Sequence, residues 1–225
     1  MPKKNISKIL IVLACTFILS ACGKKKQETV VIPTPTPRLV EIELQNRPYI
    51  SLIPRADGHE LKLKIDQISS DIKAIEYELI YSATDENLEI EKGLSGTIDI
   101  DSTGIEKDLL LGTASCTNGC KYKYDSGVTG GSLNIIFTTQ NNQIAMFETP
   151  FIILSTAQVK KDGISLSNFS LKATPSQNEF FILIKNYNNS YSVFSSGTGK
   201  GTVNTITDGY AALDETKIST DYTNE

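Results

Sequence analysis

The sequence predicts an all-β protein, an antiparallel β-sandwich of generally immunoglobulin-like character. Short alternations of apolar and polar residues recur at intervals of roughly 8–15 residues, which is typical of sandwiches and barrels. Turn residues separate these alternations, and no repeat of fixed period indicates a propeller or a solenoid. The C-terminal half is also rich in Ser, Thr, Asn and Gly. We therefore expect about a dozen strands and no helix.

The clearest strand predictions come from residues that alternate between apolar and polar side chains. Every second side chain lies on the same face of a strand, so the apolar members mark the face turned toward the core. Residues 180–184 differ, because they are apolar throughout, as expected for a strand covered on both faces. The alternating apolar sets are Leu61, Leu63 and Ile65; Ile98 and Ile100; and Leu133, Ile135 and Phe137.

The segment 68–81 is ambiguous between helix and strand. Its Ser69-Ser70-Asp71 sequence is a possible helix N-cap. However, Ile75, Tyr77, Leu79 and Tyr81 follow with a period of two, which favours a strand.

Turns and boundaries divide the remaining chain. A polar stretch from Thr156 to Gly163 follows an apolar run and marks an internal boundary. We expect residues 39–158 to form the sandwich, residues 159–213 to form a small β unit or part of the same sandwich, and residues 214–225 to form a polar tail. The predicted turns are Asp57-Gly58, Asn141-Asn142, Asp162-Gly163, Asn188-Asn189 and Asp208-Gly209.

The N-terminus has the composition of an export signal. Residues 2–8 are basic, and the following run, 9–21, is almost wholly apolar. At about 13 residues this run is shorter than the ~20 residues that span a bilayer, and it fits the hydrophobic region of a signal peptide.

The run ends in Leu19-Ser20-Ala21-Cys22, which resembles the lipobox of bacterial lipoproteins. The resemblance covers only residues 1–22. It implies that residues 1–21 are a signal peptide, that Cys22 carries a diacylglycerol thioether, and that its new amino group takes a further acyl chain such as palmitate. An ordinary cleaved signal and an uncleaved short anchor helix are the alternatives. Cys15 also follows an alanine, but cleavage there leaves too short an apolar region.

Residues 22–38 are predicted to form a tether. Lys24, Lys25 and Lys26 follow the expected lipid, and three prolines alternate with threonine at positions 33–37. Such a sequence favours an extended, polyproline-like backbone, which carries the folded part up to roughly 45 Å from the membrane.

Net charge excludes one class of partner. The chain has a formal charge of −4, and removal of Lys3, Lys4 and Lys8 with the signal peptide leaves 19 basic against 26 acidic residues. A net acidic surface repels phosphates, so we expect no nucleic-acid partner.

Cys116-Thr-Asn-Gly-Cys120 is the most informative local motif. Asn-Gly between two strands favours a tight hairpin turn with glycine at positive φ, which brings the cysteines together. An exported protein can oxidise them, so we expect a structural disulfide that closes a loop tip and constrains the unfolded chain by about 2 kcal/mol. Free thiols remain the alternative.

Tyr122 and Tyr124 follow directly and share one face of a strand. If they are exposed, they form a binding patch for a sugar or a protein partner. If they are buried, they are part of the core. The absence of tryptophan argues against a sugar site.

Three motifs are weak candidates for chemistry. Asp99 and Asp101 resemble half of a calcium loop, but the carboxylate required at its twelfth position is missing. Residues 197–202 resemble a phosphate loop but lack its glycine and hydroxyl positions. His59 is the sole histidine and is interpreted as a surface turn residue.

The sequence therefore predicts a membrane-anchored, extracytoplasmic lipoprotein whose domain is a non-catalytic interaction module. Its membrane contact is the lipid, and its partner is a cell-wall polymer or a surface protein. No cofactor or metal is expected. The alternatives are an envelope hydrolase that uses paired carboxylates, or a structural component of an envelope assembly.

Overall fold

Strands occupy most of the described chain. The structure is a computed structural model that describes residues 38–43, 46–100, 104–167, 169–173, 175, 178–187, 191–197, 203–206 and 219–222. The predicted signal peptide, Cys22 and the predicted tether up to Pro37 lie outside these residues. In the described part no helix is both long and apolar enough for a membrane span.

Within these residues the chain has sixteen strands and one helix. They are β1 (Arg38–Leu39), β2 (Tyr49–Pro54), β3 (Glu60–Asp66), β4 (Ile72–Asp85), β5 (Leu88–Ile98), β6 (Ile105–Leu110), β7 (Gly112–Ser115), β8 (Lys121–Tyr124), β9 (Gly130–Thr139), β10 (Gln143–Ser155), α1 (Thr156–Asp162), β11 (Ile164–Leu166), β12 (Phe169–Ala173), β13 (Phe180–Lys185), β14 (Tyr191–Ser195), β15 (Val203–Ile206) and β16 (Ser219–Tyr222).

The strands form one large sheet and three small ones. The large sheet has the order β16-β14-β13-β10-β9-β4-β5, with β1 beside β10, and the small sheets are β2-β3-β6, β11-β12-β15 and β7-β8. All ladders are antiparallel except the short pairing of β1 with β10. The described chain is mostly strand and its sheets are antiparallel apart from that pairing, so the predicted all-β, sandwich-like fold is confirmed.

The main core lies between the large sheet and the β2-β3-β6 sheet. Leu61, Leu63 and Ile65 of β3 are fully buried, as are Leu133, Ile135 and Phe137 of β9. All six belong to one hydrophobic cluster, so these two alternating patterns correctly predicted the inward faces.

A second, smaller cluster covers the opposite face of the large sheet at its β13 end. In β13, Ile182 and Ile184 pack into the main core, while Phe181 and Leu183 pack into the smaller cluster with Val159 of α1. The prediction of a strand covered on both faces is therefore confirmed. Strands β13, β14 and β16 extend the large sheet, whereas β11, β12 and β15 form a small sheet of their own.

In the ambiguous segment 68–81, the residues from Ile72 onward form part of strand β4. Ile75 and Leu79 are fully buried and Tyr81 nearly so, as the period of two predicted. The possible N-cap Ser69 instead forms a turn, in which its carbonyl oxygen accepts a hydrogen bond from the Ile72 amide at 3.0 Å.

The expectation of no helix was wrong, because α1 occupies the polar stretch where a boundary was placed. Ser155 and Gln158 form a reciprocal capping box, and Gly163 ends the helix at φ +78°. Only Thr156 and Val159 of the helix are buried, so seven residues carry too little apolar periodicity to indicate a helix. Sixteen strands exceed the predicted dozen because several, such as β1 and β11, are too short to show alternation.

Of the predicted turns, Gly58 has φ +72° and Asn142 has φ +58°, both left-handed conformations suited to tight turns. The turns at 188–189 and 208–209 lie outside the described residues.

Candidate functional site

Strands β7 and β8 form a hairpin that pairs with no other strand in the described part of the chain. Every residue from Thr113 to Tyr124 is exposed. Its turn contains Gly119 at φ +85°, and apart from Gly119 and its two chain neighbours no residue has a heavy atom within 4 Å of where a Cβ would stand. The ribbon therefore projects into solvent, and we call it the projecting hairpin.

Cys116 and Cys120 face each other across the tip of the projecting hairpin. Their sulfur atoms lie at disulfide distance, and their Cα atoms are 4.1 Å apart. This arrangement is the one that the Asn-Gly spacing predicted. Because an isolated two-stranded hairpin is marginal in water, a cross-link at its tip restricts the conformations of a ribbon that the core does not support.

The base of the projecting hairpin is fastened to the body by Leu111 and Asp125. The amide of fully buried Leu111 donates to the His59 carbonyl oxygen at 2.9 Å, and the Asp125 amide donates to the Leu111 carbonyl oxygen at 3.0 Å. The carboxylate of Asp125 accepts a hydrogen bond from Tyr81 Oη at 2.7 Å and forms an ion pair with Lys92. These contacts join the hairpin to β4 and β5.

The same contacts set the ionisation of Asp125. Desolvation of this carboxylate acts to raise its pKa, but hydrogen bonds from Lys92 and Tyr81 outweigh burial and hold the pKa below its usual value. Desolvation and the bond to Asp125 together raise the Tyr81 pKa. The carboxylate is therefore charged at neutral pH, and protonating it weakens the attachment.

We expect Asp125→Asn to lower the free energy of unfolding by about 2 kcal/mol, because the hydrogen bond from Tyr81 becomes neutral and Lys92 loses its ion-pair partner. The folded pKa is depressed, so this stability is present above pH ~4, the ordinary aspartate value, and is lost as pH falls further. Thermal unfolding of wild type and variant between pH 7 and pH 3 measures the difference. Asp85→Asn, at an exposed position of β4, is the control. A gap between Asp125→Asn and wild type that persists undiminished at pH 3 would contradict this role.

Three aromatic rings form a row, two of them on strand β8 of the projecting hairpin and one on the neighbouring turn. The Tyr122 and Tyr124 rings are 6.1 Å apart and inclined by only 6°, and the His59 ring stacks on Tyr124 at 4.3 Å with an angle of 8°. Tyr122 is 54% exposed and Tyr124 is 40% exposed, which excludes the alternative of a core pair. His59 lies at a turn, as predicted, but its contact with Tyr124 was missed, because 65 positions separate them and no local pattern links them.

A charged cluster flanks this aromatic row. Arg55 binds both carboxylate oxygens of Asp57, at 2.9 and 2.8 Å, and also Glu60 at 3.0 Å. Its hydrogen bond to Asp57 is the main reason the pKa of Asp57 falls to about 2. The Arg55 pKa is raised in turn, first by Asp57 and, despite some desolvation, also by a hydrogen bond with Tyr124. We call Arg55, Asp57, Glu60 and the three rings the aromatic platform.

The weaker predicted sites gain no support from geometry. Asp99 is exposed, and Asp101 lies outside the described residues. In the described ranges no three His, Cys, Asp or Glu residues come together as a metal site. Residues 198–202, which belong to the segment that resembles a phosphate loop, also lie outside the described residues.

A hollow of about 410 Å³ on the outer face of the large sheet contains two carboxylates. It is lined by Glu76, Tyr77 and Glu78 of β4, by Ser95, Gly96 and Thr97 of β5, and by Asn134 and Ile136 of β9. Both glutamates are exposed on the same strand face. A general acid in a glycosidase requires an apolar environment, and this open sheet surface does not supply one.

Comparisons with protein families, curated proteins and solved structures find no match to this chain.

Proposed function

We propose that this chain is an extracytoplasmic lipoprotein that presents a non-catalytic binding module, with the projecting hairpin as its contact element. The basic leader, the short apolar run and Cys22 support the anchor. The observation that carries the binding role is a ribbon whose residues 113–124 are all exposed, with its two cysteines at disulfide distance at the tip and two aligned tyrosines on one strand. Aromatic side chains on a rigid protrusion are typical of binding contacts, and they contribute nothing to the core here.

Pre-organisation makes this element suited to binding. A loop that is already ordered loses less conformational entropy when it meets a partner, so more of the contact energy appears as affinity. The cysteine pair restricts the tip, and Asp125 and Leu111 restrict the base.

The partner chemistry follows from the aromatic platform. Ring faces accept the apolar face of a sugar or a protein side chain, while Arg55, Asp57 and Glu60 offer donors and acceptors beside them. A cell-wall polymer and a surface protein both fit this description.

A photo-crosslinking amino acid at Tyr122 tests the proposal in the full chain expressed in its envelope. We expect Tyr122 to give a discrete cross-linked product with a protein or glycan. A photoprobe at Lys161, on α1 with an 80% exposed side chain, is the control and gives none. Equal yields at Tyr122 and Lys161 would remove the hairpin from the contact surface.

The assembly alternative is favoured by one observation. Strand β5 has eleven residues, pairs only with β4 among the described strands and carries the 69% exposed Leu88. Such an edge can accept a further strand. A photoprobe at Leu88 distinguishes the two functions, because an assembly component cross-links through Leu88 and leaves Tyr122 unlinked.

A further inference from the structure

A second concave surface lies far from the hairpin in sequence, beneath residues 39–42, which we call the strap. The strap begins at the last residue of β1 and runs alongside the start of β10, where the Val40 amide donates to the Ile144 carbonyl oxygen at 2.7 Å. Beyond that bond the strap leaves the sheet, and a cavity of about 380 Å³ opens beside it. The cavity is lined by Leu39, Val40, Glu41, Ile42, Arg47, Phe137, Ala145, Met146 and Tyr187.

The lining is mostly apolar. Seven of its nine residues are aliphatic, aromatic or methionine. Leu39 is 66% exposed and Met146 is 47% exposed, so two large apolar residues of the lining are accessible to solvent. Exposed apolar surface that is also concave is typical of a ligand site.

Among the lining residues, Arg47 carries a positive charge. The Arg47 guanidinium is 4.9 Å from the centre of the Tyr187 ring, and its Nε donates to the Ile42 carbonyl oxygen at 2.5 Å. Its Nη2 forms an ion pair with Glu41 at 2.6 Å. The Arg47 side chain is only 14% exposed, whereas that of Glu41 is 87% exposed.

This difference in exposure between Arg47 and Glu41 determines which kind of ligand the cavity favours. A carboxylate as exposed as Glu41 is screened by water and forms a weak ion pair. A carboxylate carried into the cavity by an apolar group meets the same guanidinium in a drier environment, where charge-assisted hydrogen bonds are stronger. An incoming acid can therefore replace Glu41.

We propose that the strap cavity binds a small free carboxylic acid with an apolar ring or chain, whose carboxylate pairs with Arg47 in place of Glu41. The apolar part lies against Leu39, Ile42 and Met146, which are the partly or largely exposed apolar residues of the lining. This site is independent of the projecting hairpin and of its partner.

The chain supplies its own reporter for this site. It has two methionines, Met1 and Met146, and only Met146 lines the cavity. Labelling methionine methyl groups with carbon-13 therefore gives the full chain one NMR signal at the site and at most one reference signal. The substitution Met146→Leu assigns the signal.

We expect 4-ethylbenzoate to shift the Met146 methyl signal saturably and to leave any Met1 signal unchanged. The neutral analogue 4-ethylbenzamide has the same ring and is expected to bind about tenfold more weakly, the effect of losing a charge-assisted contact. Glu41→Gln should tighten 4-ethylbenzoate by about threefold, because it removes the competing exposed ion pair.

Arg47→Gln should bring the acid and the amide to equal affinity, but it also removes contacts within the strap. Glu41→Gln avoids that ambiguity, since the Glu41 side chain is almost fully exposed. The proposal fails if neither compound moves the Met146 signal, if acid and amide titrate alike in wild type, or if Glu41→Gln leaves the affinity for the acid unchanged.

Discussion

Replacing Cys22 with alanine is expected to abolish membrane attachment. The thiol of Cys22 is the proposed site of the lipid, and two or three acyl chains contribute about 0.8 kcal/mol for each buried CH₂ group, enough for stable anchoring. Without the thiol no chain is attached, and Lys24, Lys25 and Lys26 contribute only about 1 kcal/mol each near an anionic surface.

The measurement is the mass of the N-terminal peptide together with fractionation of membranes. Wild type should begin at Cys22 with an added lipid mass and sediment with the membrane, whereas Cys22→Ala should lack the lipid. Cys15→Ala is the matched control, since it removes a cysteine from the same region and should change neither result. A wild-type protein that retains residues 1–21, or carries no acyl mass, would overturn the anchor.

Gly131→Ala is expected to lower the free energy of unfolding by about 3 kcal/mol or more, through overpacking. Gly131 lies in β9 between Tyr81 of β4 and Phe151 of β10. A Cβ on Gly131 would collide with the Ile80 carbonyl oxygen and lie 2.8 Å from the Ile80 carbonyl carbon. Backbone cannot move aside as a flexible side chain does, so the central ladder must separate locally.

Chemical denaturation followed by circular dichroism measures this loss. Gly93→Ala in β5 is the matched control, because the nearest atom to the place its methyl group would take is the Leu79 carbonyl oxygen at 3.8 Å, an ordinary contact. Gly93→Ala should leave stability within about 0.5 kcal/mol of wild type. Equal stability of the two variants would show that β4 and β9 tolerate a wider spacing than this structure has.

The sequence predicted features whose physical cause is local. A period of two places Leu133, Ile135 and Phe137 on one strand face regardless of what covers them. Asn-Gly between two cysteines likewise determines its own turn. The helix α1 was missed because only Thr156 and Val159 face the core, although its capping residues, Ser155 and Gln158, were visible in the sequence.

Features that depend on distant residues could not be predicted. The stacking of His59 on Tyr124 and the contacts of Asp125 with Tyr81 and Lys92 join positions that strand order alone brings together. The cavity beneath the strap is equally non-local, because Arg47, Met146 and Tyr187 come from three separate segments. In the sequence alone, where the strand order is not known, the aromatic platform is visible only as two tyrosines and a separate turn.

The position of β13 has a consequence for the order in which the chain matures. It is a central strand of the large sheet and contributes to both hydrophobic clusters, yet it follows its partner β10 only after the helix α1 and the strands β11 and β12. While a ribosome still holds that segment, strand β10 lacks the β13 neighbour of its residues 151–155. Such late, long-range closure slows folding. The nascent polypeptide therefore exposes an unpaired edge of β10 to chaperones and proteases until β13 has been delivered.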